Sequence, residues 1–105
     1  MSDDGFIRVA KVGEIPPGAV KVVRIDEQDV AVFNVDGAFY AIDDICTHDG
    51  GPLAEGTLEG PIVECPRHGA KFDVRNGAVM AMPATVPVPT YAVRIENGEI
   101  QVGWS

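Results

Sequence analysis

Every cysteine and every histidine of the chain falls between Cys46 and His68. The stretch reads Cys46-Thr47-His48-Asp49-Gly50-Gly51-Pro52 and, after a spacer, Cys65-Pro66-Arg67-His68-Gly69; this is C-x-H and C-x-x-H with sixteen residues between His48 and Cys65. Each half offers one thiolate and one imidazole on a short, glycine-containing turn. No other residue supplies either group. Any soft-metal chemistry is therefore built here, and the fold has to bring the two halves together.

Three arrangements use this donor set. A disulfide between Cys46 and Cys65 leaves unexplained why a histidine follows each cysteine by two or three residues. The chain opens Met1-Ser2-Asp3-Asp4, with no basic start and no apolar run, so a cytoplasmic, reducing location is expected. A Cys2His2 zinc module is the second arrangement, although such modules usually group cysteine with cysteine ahead of the histidines. The third places both thiolates on one metal ion and both imidazoles on another, bridged by sulfide, as in [2Fe–2S] centres where two histidines replace two cysteines on one iron.

The segments around the stretch read as strands. Phe6 to Val12 and Ala19 to Ile25 are rich in β-branched residues, with Val20, Val22 and Arg24 on one face of the latter, and Ile15-Pro16-Pro17-Gly18 breaks them apart. Asp29 to Val35 alternates, Asp36-Gly37 marks a tight hairpin, and Ala38 to Ile42 leads back toward Cys46. A helical turn is expected near Leu53 to Glu55, a turn at Gly60-Pro61, and strands at Ile62 to Glu64 and Lys71 to Val74, the last closed by Asn76-Gly77. Prolines exclude regular central strands from Met80 to Ala84 and from Val86 to Pro89. Tyr91 to Ile95 and Glu99 to Trp104 flank Asn97-Gly98, a second hairpin. With no repeat or linker, residues 1–105 are expected to form a single domain, all-β, of short antiparallel strands closed on themselves.

Charge narrows the partners. Eight basic against sixteen acidic residues leave a net charge of −8, which argues against nucleic acid. No basic residue stands between Arg24 and Arg67, whereas ten acids do. Such a surface keeps a protein soluble and also suits steering toward a basic partner. No apolar run approaches a membrane span.

The two ligand boxes, Cys46-Thr47-His48 and Cys65-Pro66-Arg67-His68-Gly69, resemble those of the Rieske family. The similarity continues through Phe72-Asp73, Asn76-Gly77, Met82-Pro83-Ala84 and the strand at Tyr91 to Ile95, and so covers nearly the whole chain. The resemblance implies a Rieske fold, an antiparallel sandwich or barrel-like base carrying a small cluster-binding subdomain, with loops at about 44–70 inserted in the base. It implies one [2Fe–2S] cluster, with Cys46 and Cys65 on one iron and His48 and His68, facing solvent, on the other. Pro83 would shield the cluster from a third loop, and Gly69 and Ala70 would lie just outside the ligands. Phe33, Phe39, Phe72 and Trp104 read as core or cover, and Met80 and Met82 as soft filling over the cluster-side loop. Arg67 and Lys71 are surface charges placed for a partner contact.

The chain departs from the respiratory branch of that family. Gly51 and Arg67 stand where those proteins carry an extra cysteine pair, and Ala70 and Phe72 stand where they carry serine and tyrosine. Missing O–H donors to the cluster lower its potential, toward the bottom of the roughly −150 to +300 mV Rieske range. Both histidines are committed to the cluster, so this is not expected to be an oxygenase. The resemblance implies a monomeric one-electron carrier between an NAD(P)H-dependent flavoprotein reductase and a terminal aromatic-ring oxygenase. The rival roles are an accessory donor or sensor outside oxygenase systems, a small non-catalytic reductase subunit, and a zinc-binding interaction module.

Overall fold

The computed structural model describes residues 5–47, 50–66, 69–82 and 84–104, the Trp104 side chain excepted. In chain order the strands are β1 (Ile7–Lys11), β2 (Val20–Ile25), β3 (Gln28–Val35), β4 (Ala38–Asp43), β5 (Thr57–Glu59), β6 (Ile62–Glu64), β7 (Lys71–Asp73), β8 (Val79–Ala81), β9 (Thr90–Glu96) and β10 (Glu99–Trp104). Single 3-10 turns occur at Val12–Glu14 and Leu53–Glu55. Six strands form an antiparallel sheet in the order β1-β10-β9-β4-β3-β2, curled into a nearly closed barrel. The other four form a smaller sheet, β5-β6-β7-β8, inserted between β4 and β9. The expected all-β base with a small added subdomain is what the chain builds.

Local chemistry sets the hairpins. Asp36-Gly37 (φ 51° and 94°) and Asn97-Gly98 (φ 53° and 75°) have both central residues at positive φ, the backbone that matches strand twist in two-residue turns. The β2–β3 turn does the same with Asp26 (φ 47°) and Glu27 (φ 68°). It lacks a glycine, so its sequence gives no hairpin signal.

The wall between the two sheets is the β3–β4 hairpin. β3 is expected to alternate, yet Val30, Ala31, Val32 and Phe33 are all buried. Val30 and Val32 enter the barrel core with Ile100 and Val102, while Ala31 and Phe33 enter a second core beneath the inserted sheet. Ala41 and Ile42 of β4 divide in the same way. A strand covered on both faces reads as a continuous apolar run. Burying each large side chain of this wall contributes about 1.5–3 kcal/mol, so the hairpin is a rigid support for whatever extends from Asp43.

The expected Val20, Val22, Arg24 face of β2 lies outside the barrel: Val20 packs partly on the second core, Val22 is exposed and Arg24 pairs with Asp29 at 2.9 Å, while Val23 and Ile25 of the opposite face enter the barrel core. One expectation needs correction. Met80 and Met82 do not fill a gap; they are 53% and 79% exposed. β8 is an edge, and alternation that packs Val79 into the second core sends Met80 to solvent. Phe33 and Phe72 are fully buried, as expected of core residues, and Phe39 packs partly on the barrel core.

Candidate metal centre

The first ligand loop leaves the end of β4. The Cys46 amide donates to the Gly51 carbonyl at 2.7 Å, and the Gly50 amide donates to the Cys46 carbonyl at 2.7 Å. The second loop leaves β6. The Cys65 amide donates to the Ala70 carbonyl at 2.7 Å, and the Gly69 amide donates to the Cys65 carbonyl at 3.2 Å. The two closures are the same: cysteine to the fifth residue on, and a glycine at the fourth back to the cysteine. Gly50 (φ +78°) and Gly69 (φ +77°) adopt the same left-handed backbone, which glycine reaches without steric cost. A shared geometry thus underlies two boxes whose sequences differ in histidine spacing.

Both loops deliver their cysteines to one place. Cys46 and Cys65 are each 1% exposed and belong to the second core, with Leu53, Val63, Ala70 and Phe72. They stand as two thiols rather than a disulfide. Two soft donors buried among apolar side chains fit a thiophilic metal or an iron–sulfur group and do not fit a hard, oxygen-ligated cation. Of the other expected site residues, Gly69 and Ala70 close the second loop, and Ala70 is fully buried beside the cysteines. His48, His68 and Pro83, with Asp49 and Arg67, lie outside the described residues. Accordingly, no group of three or more histidine, cysteine or acidic side chains is found among the described residues. Lys71 sits opposite Glu64 on the β6–β7 hairpin.

A third loop, after β8, completes the site. Ala84 and Val88 are buried in the same core as the cysteines. The Val88 amide donates to the Gly77 carbonyl, and the Asp43 amide to the Pro89 carbonyl, each at 2.9 Å. A Cβ on Gly77 (φ +78°) would stand 2.1 Å from the Val88 carbonyl oxygen, so that turn admits only glycine.

Two residues that the sequence reading passed over tie the first loop down. The Asp44 carboxylate accepts a hydrogen bond from the Ala54 amide at 2.7 Å, fastening the loop to the 3-10 turn beyond it. Burial pushes the Asp44 carboxyl above its ordinary pKa, with Asp29 and Glu55 adding to the effect and the Ala54 and Leu53 amides opposing it. The Thr47 hydroxyl donates to the Val86 carbonyl at 2.6 Å. An acceptor two residues before a cysteine box and nine before a short helical turn is the one sequence signal by which Asp44 is found; Thr47 carries none. Beside this loop lies a cleft of about 380 Å³ lined by Glu27, Asp29, Asp43, Asp44, Ile45 and Gly50, among others. Four acidic residues, Glu27 of the β2–β3 turn, Asp29 at the start of β3, Asp43 at the end of β4 and Asp44 just after it, thus line one hollow at the shoulder of the site. Among the described residues, no helix is long and apolar enough to cross a membrane.

Comparison with known proteins agrees with this chemistry. The family model of the Rieske [2Fe-2S] domain matches residues 5–92. The biphenyl dioxygenase ferredoxin subunit of Pseudomonas sp. (strain KKS102) is 45% identical over 101 residues, spanning 95% of this chain and 93% of that one. The ferredoxin of carbazole 1,9a-dioxygenase from Nocardioides aromaticivorans IC177 superposes with a TM-score of 0.92 at 33% identity, covering 97% of this chain and 100% of that one. A chain from the complex of reduced oxygenase and oxidized ferredoxin in carbazole 1,9a-dioxygenase superposes with a TM-score of 0.91 at 36% identity, covering 96% and 94%.

Proposed function

Because the chain belongs to the Rieske [2Fe-2S] domain family, we infer that it is a one-electron carrier with a single [2Fe–2S] cluster, the ferredoxin component of an aromatic-ring dioxygenase system. Cys46 and Cys65 would hold one iron, and His48 and His68 the other. When bound, the cluster supplies a one-electron couple whose oxidised form is formally neutral, since two ferric ions are balanced by two sulfides and two thiolates. The observation that carries this reading is the pair of buried cysteines on loops of identical closure.

The chain's own residues set the terms of the transfer. Burial of Cys46 and Cys65 keeps water from the thiolates. Ala70 and Phe72, both fully buried, offer no O–H group to stabilise an added electron, which favours a low potential. The carboxylates of the acidic cleft steer a basic partner to the shoulder of the first loop and raise the rate of a brief encounter. Electrons would arrive from an NAD(P)H-dependent flavoprotein reductase and leave to a terminal oxygenase through one surface, that of the histidine-ligated iron. The carrier is a cytoplasmic monomer of one domain, residues 1–105, with both cores sharing the β3–β4 wall.

Purified protein is expected to be red-brown and, on one-electron reduction, to give the EPR signal of a histidine-ligated [2Fe–2S] centre. Cys46→Ser and Cys65→Ser are each expected to abolish it. Its midpoint should fall near the lower end of the roughly −150 to +300 mV range. A colourless, zinc-loaded protein would refute the reading, and a clearly positive midpoint would refute the low-potential assignment. Reduction by the reductase should slow as ionic strength rises; a rate indifferent to salt removes the acidic cleft from the account.

A further inference from the structure

The segment from Ala84 to Val88 runs beside the first ligand loop with little backbone to hold it. Pro87 and Pro89 have no amide hydrogen and cannot join a ladder. Its ends are fixed, by burial of Ala84 and Val88 in the core that holds both cysteines and by the bonds of Val88 to Gly77 and of Pro89 to Asp43. Its crest, Val86, is 55% exposed. Among the described residues, the hydrogen bond that holds this crest comes from the Thr47 hydroxyl, at 2.6 Å, the short end of the O–H···O range. Thr47 follows Cys46 directly. Its β-branched side chain has restricted χ1 freedom, so the hydroxyl is aimed at little entropic cost. No disulfide links the two cysteine loops.

We propose that Thr47 is a positioning residue, a latch whose hydroxyl holds the 84–88 loop down against the first ligand loop and so keeps water from the cluster bound at Cys46 and Cys65. The proposal rests on the cluster assignment above. With the latch intact, Val86 is presented outward at a fixed height beside the first ligand loop. With it broken, the Val86 carbonyl turns to water, the crest lifts between its two anchored ends, and solvent reaches the buried sulfurs.

Two substitutions separate the hydroxyl from the packing. Thr47→Val keeps the branched shape and deletes the donor, whereas Thr47→Ser keeps the donor and deletes the methyl. In the cluster-loaded protein challenged with a chelator, loss of the visible absorbance is expected to be about fivefold faster in Thr47→Val, the factor that one hydrogen bond of ordinary net strength supplies, with Thr47→Ser close to wild type. The midpoint potential of Thr47→Val should move upward, because admitted water stabilises the more negative reduced form. A Thr47→Val protein that loses its cluster at the wild-type rate with an unmoved midpoint overturns the latch. So does an equal acceleration in both variants, which would place the effect in the methyl group. If the valine is not accommodated, Thr47→Ala carries the same comparison with Thr47→Ser. A wild-type chain that takes up no cluster overturns the assignment beneath the latch, and the latch with it.

Discussion

The two ligand loops close on the same hydrogen bonds and are moored in different ways. The Cys65 loop is the turn of a hairpin: Ile62, Val63 and Glu64 pair with Asp73, Phe72 and Lys71, and the bond from Cys65 to Ala70 continues that ladder. The Cys46 loop leaves β4 and runs on through Pro52 into the Leu53–Glu55 turn without a partner strand. The Asp44 amide still donates to the Asp29 carbonyl at 2.9 Å, and beyond that bond the side-chain ties among the described residues are the carboxylate of Asp44 and the hydroxyl of Thr47. Ladder bonds belong to the backbone and survive most changes of side chain. Side-chain ties are single atoms that one substitution removes. The first loop is therefore where mutation should reach the site.

The largest effect should come where the β7–β8 turn meets the third loop, on which the first one leans. Gly77→Ala puts a Cβ at positive φ and 2.1 Å from the Val88 carbonyl oxygen. Backbone strain and forced displacement together should cost about 3 kcal/mol, read as a lowered midpoint of chemical denaturation. A cost no greater than that of a surface substitution would mean that the third loop yields easily, and that Thr47 is fastened to something soft.

Asp44 comes next. Asp44→Ala leaves the Ala54 amide without its acceptor and should cost about 2 kcal/mol, whereas Asp44→Asn retains an oxygen there and should cost less. Glu64→Ala, on the strand entering the second loop, should stay within about 0.5 kcal/mol. Equal costs at Asp44 and Glu64 would erase the distinction between the two moorings.

The sequence made some of this visible and concealed the rest for physical reasons. Tight turns are local, so Asp36-Gly37 and Asn97-Gly98 announced their hairpins, while Asp26 and Glu27 reach the same backbone without the usual residue. Period-2 patterns are local as well, but Val30 to Phe33 cannot reveal that each of its faces meets a separate core. The cysteine boxes declared the donor set because soft ligands are rare in this chain. Their matched closure was hidden, since backbone bonds carry no residue signature beyond the glycines. Asp44 and Thr47 act on residues ten and thirty-nine positions away, and pairings at that range are products of the fold. Asn34 belongs with them: buried, it donates to the Ile15 carbonyl and accepts from the Gly37 amide, each at 2.7 Å.

Acid should reverse the contrast between the loops. The hairpin that carries the Cys65 loop runs through β7 into a turn held by Asp73, whose carboxylate is almost fully buried and accepts from Arg75 Nε at 3.0 Å, Nη2 at 2.8 Å and the Arg75 amide at 2.9 Å. The side-chain bonds from Arg75 hold this carboxyl below its ordinary value of 3.8, against the opposing effect of burial. A depressed carboxyl lends stability that is fully present above the unfolded pKa and lost as pH falls through the folded value. Stability should therefore hold from neutrality to about pH 4 and decline below it. The decline should be shallower in Arg75→Ala, which removes the side-chain bonds yet costs little at neutral pH, because the guanidinium is half exposed and screened. Amide exchange at Gly77, whose N–H donates to the Asp73 carbonyl at 2.7 Å, would localise the loss. At Asp44 the shift runs the other way, so acid relieves a cost there. If exchange below pH 4 quickened first in the Cys46 loop, the opposed signs of these two carboxylates would not govern which mooring yields.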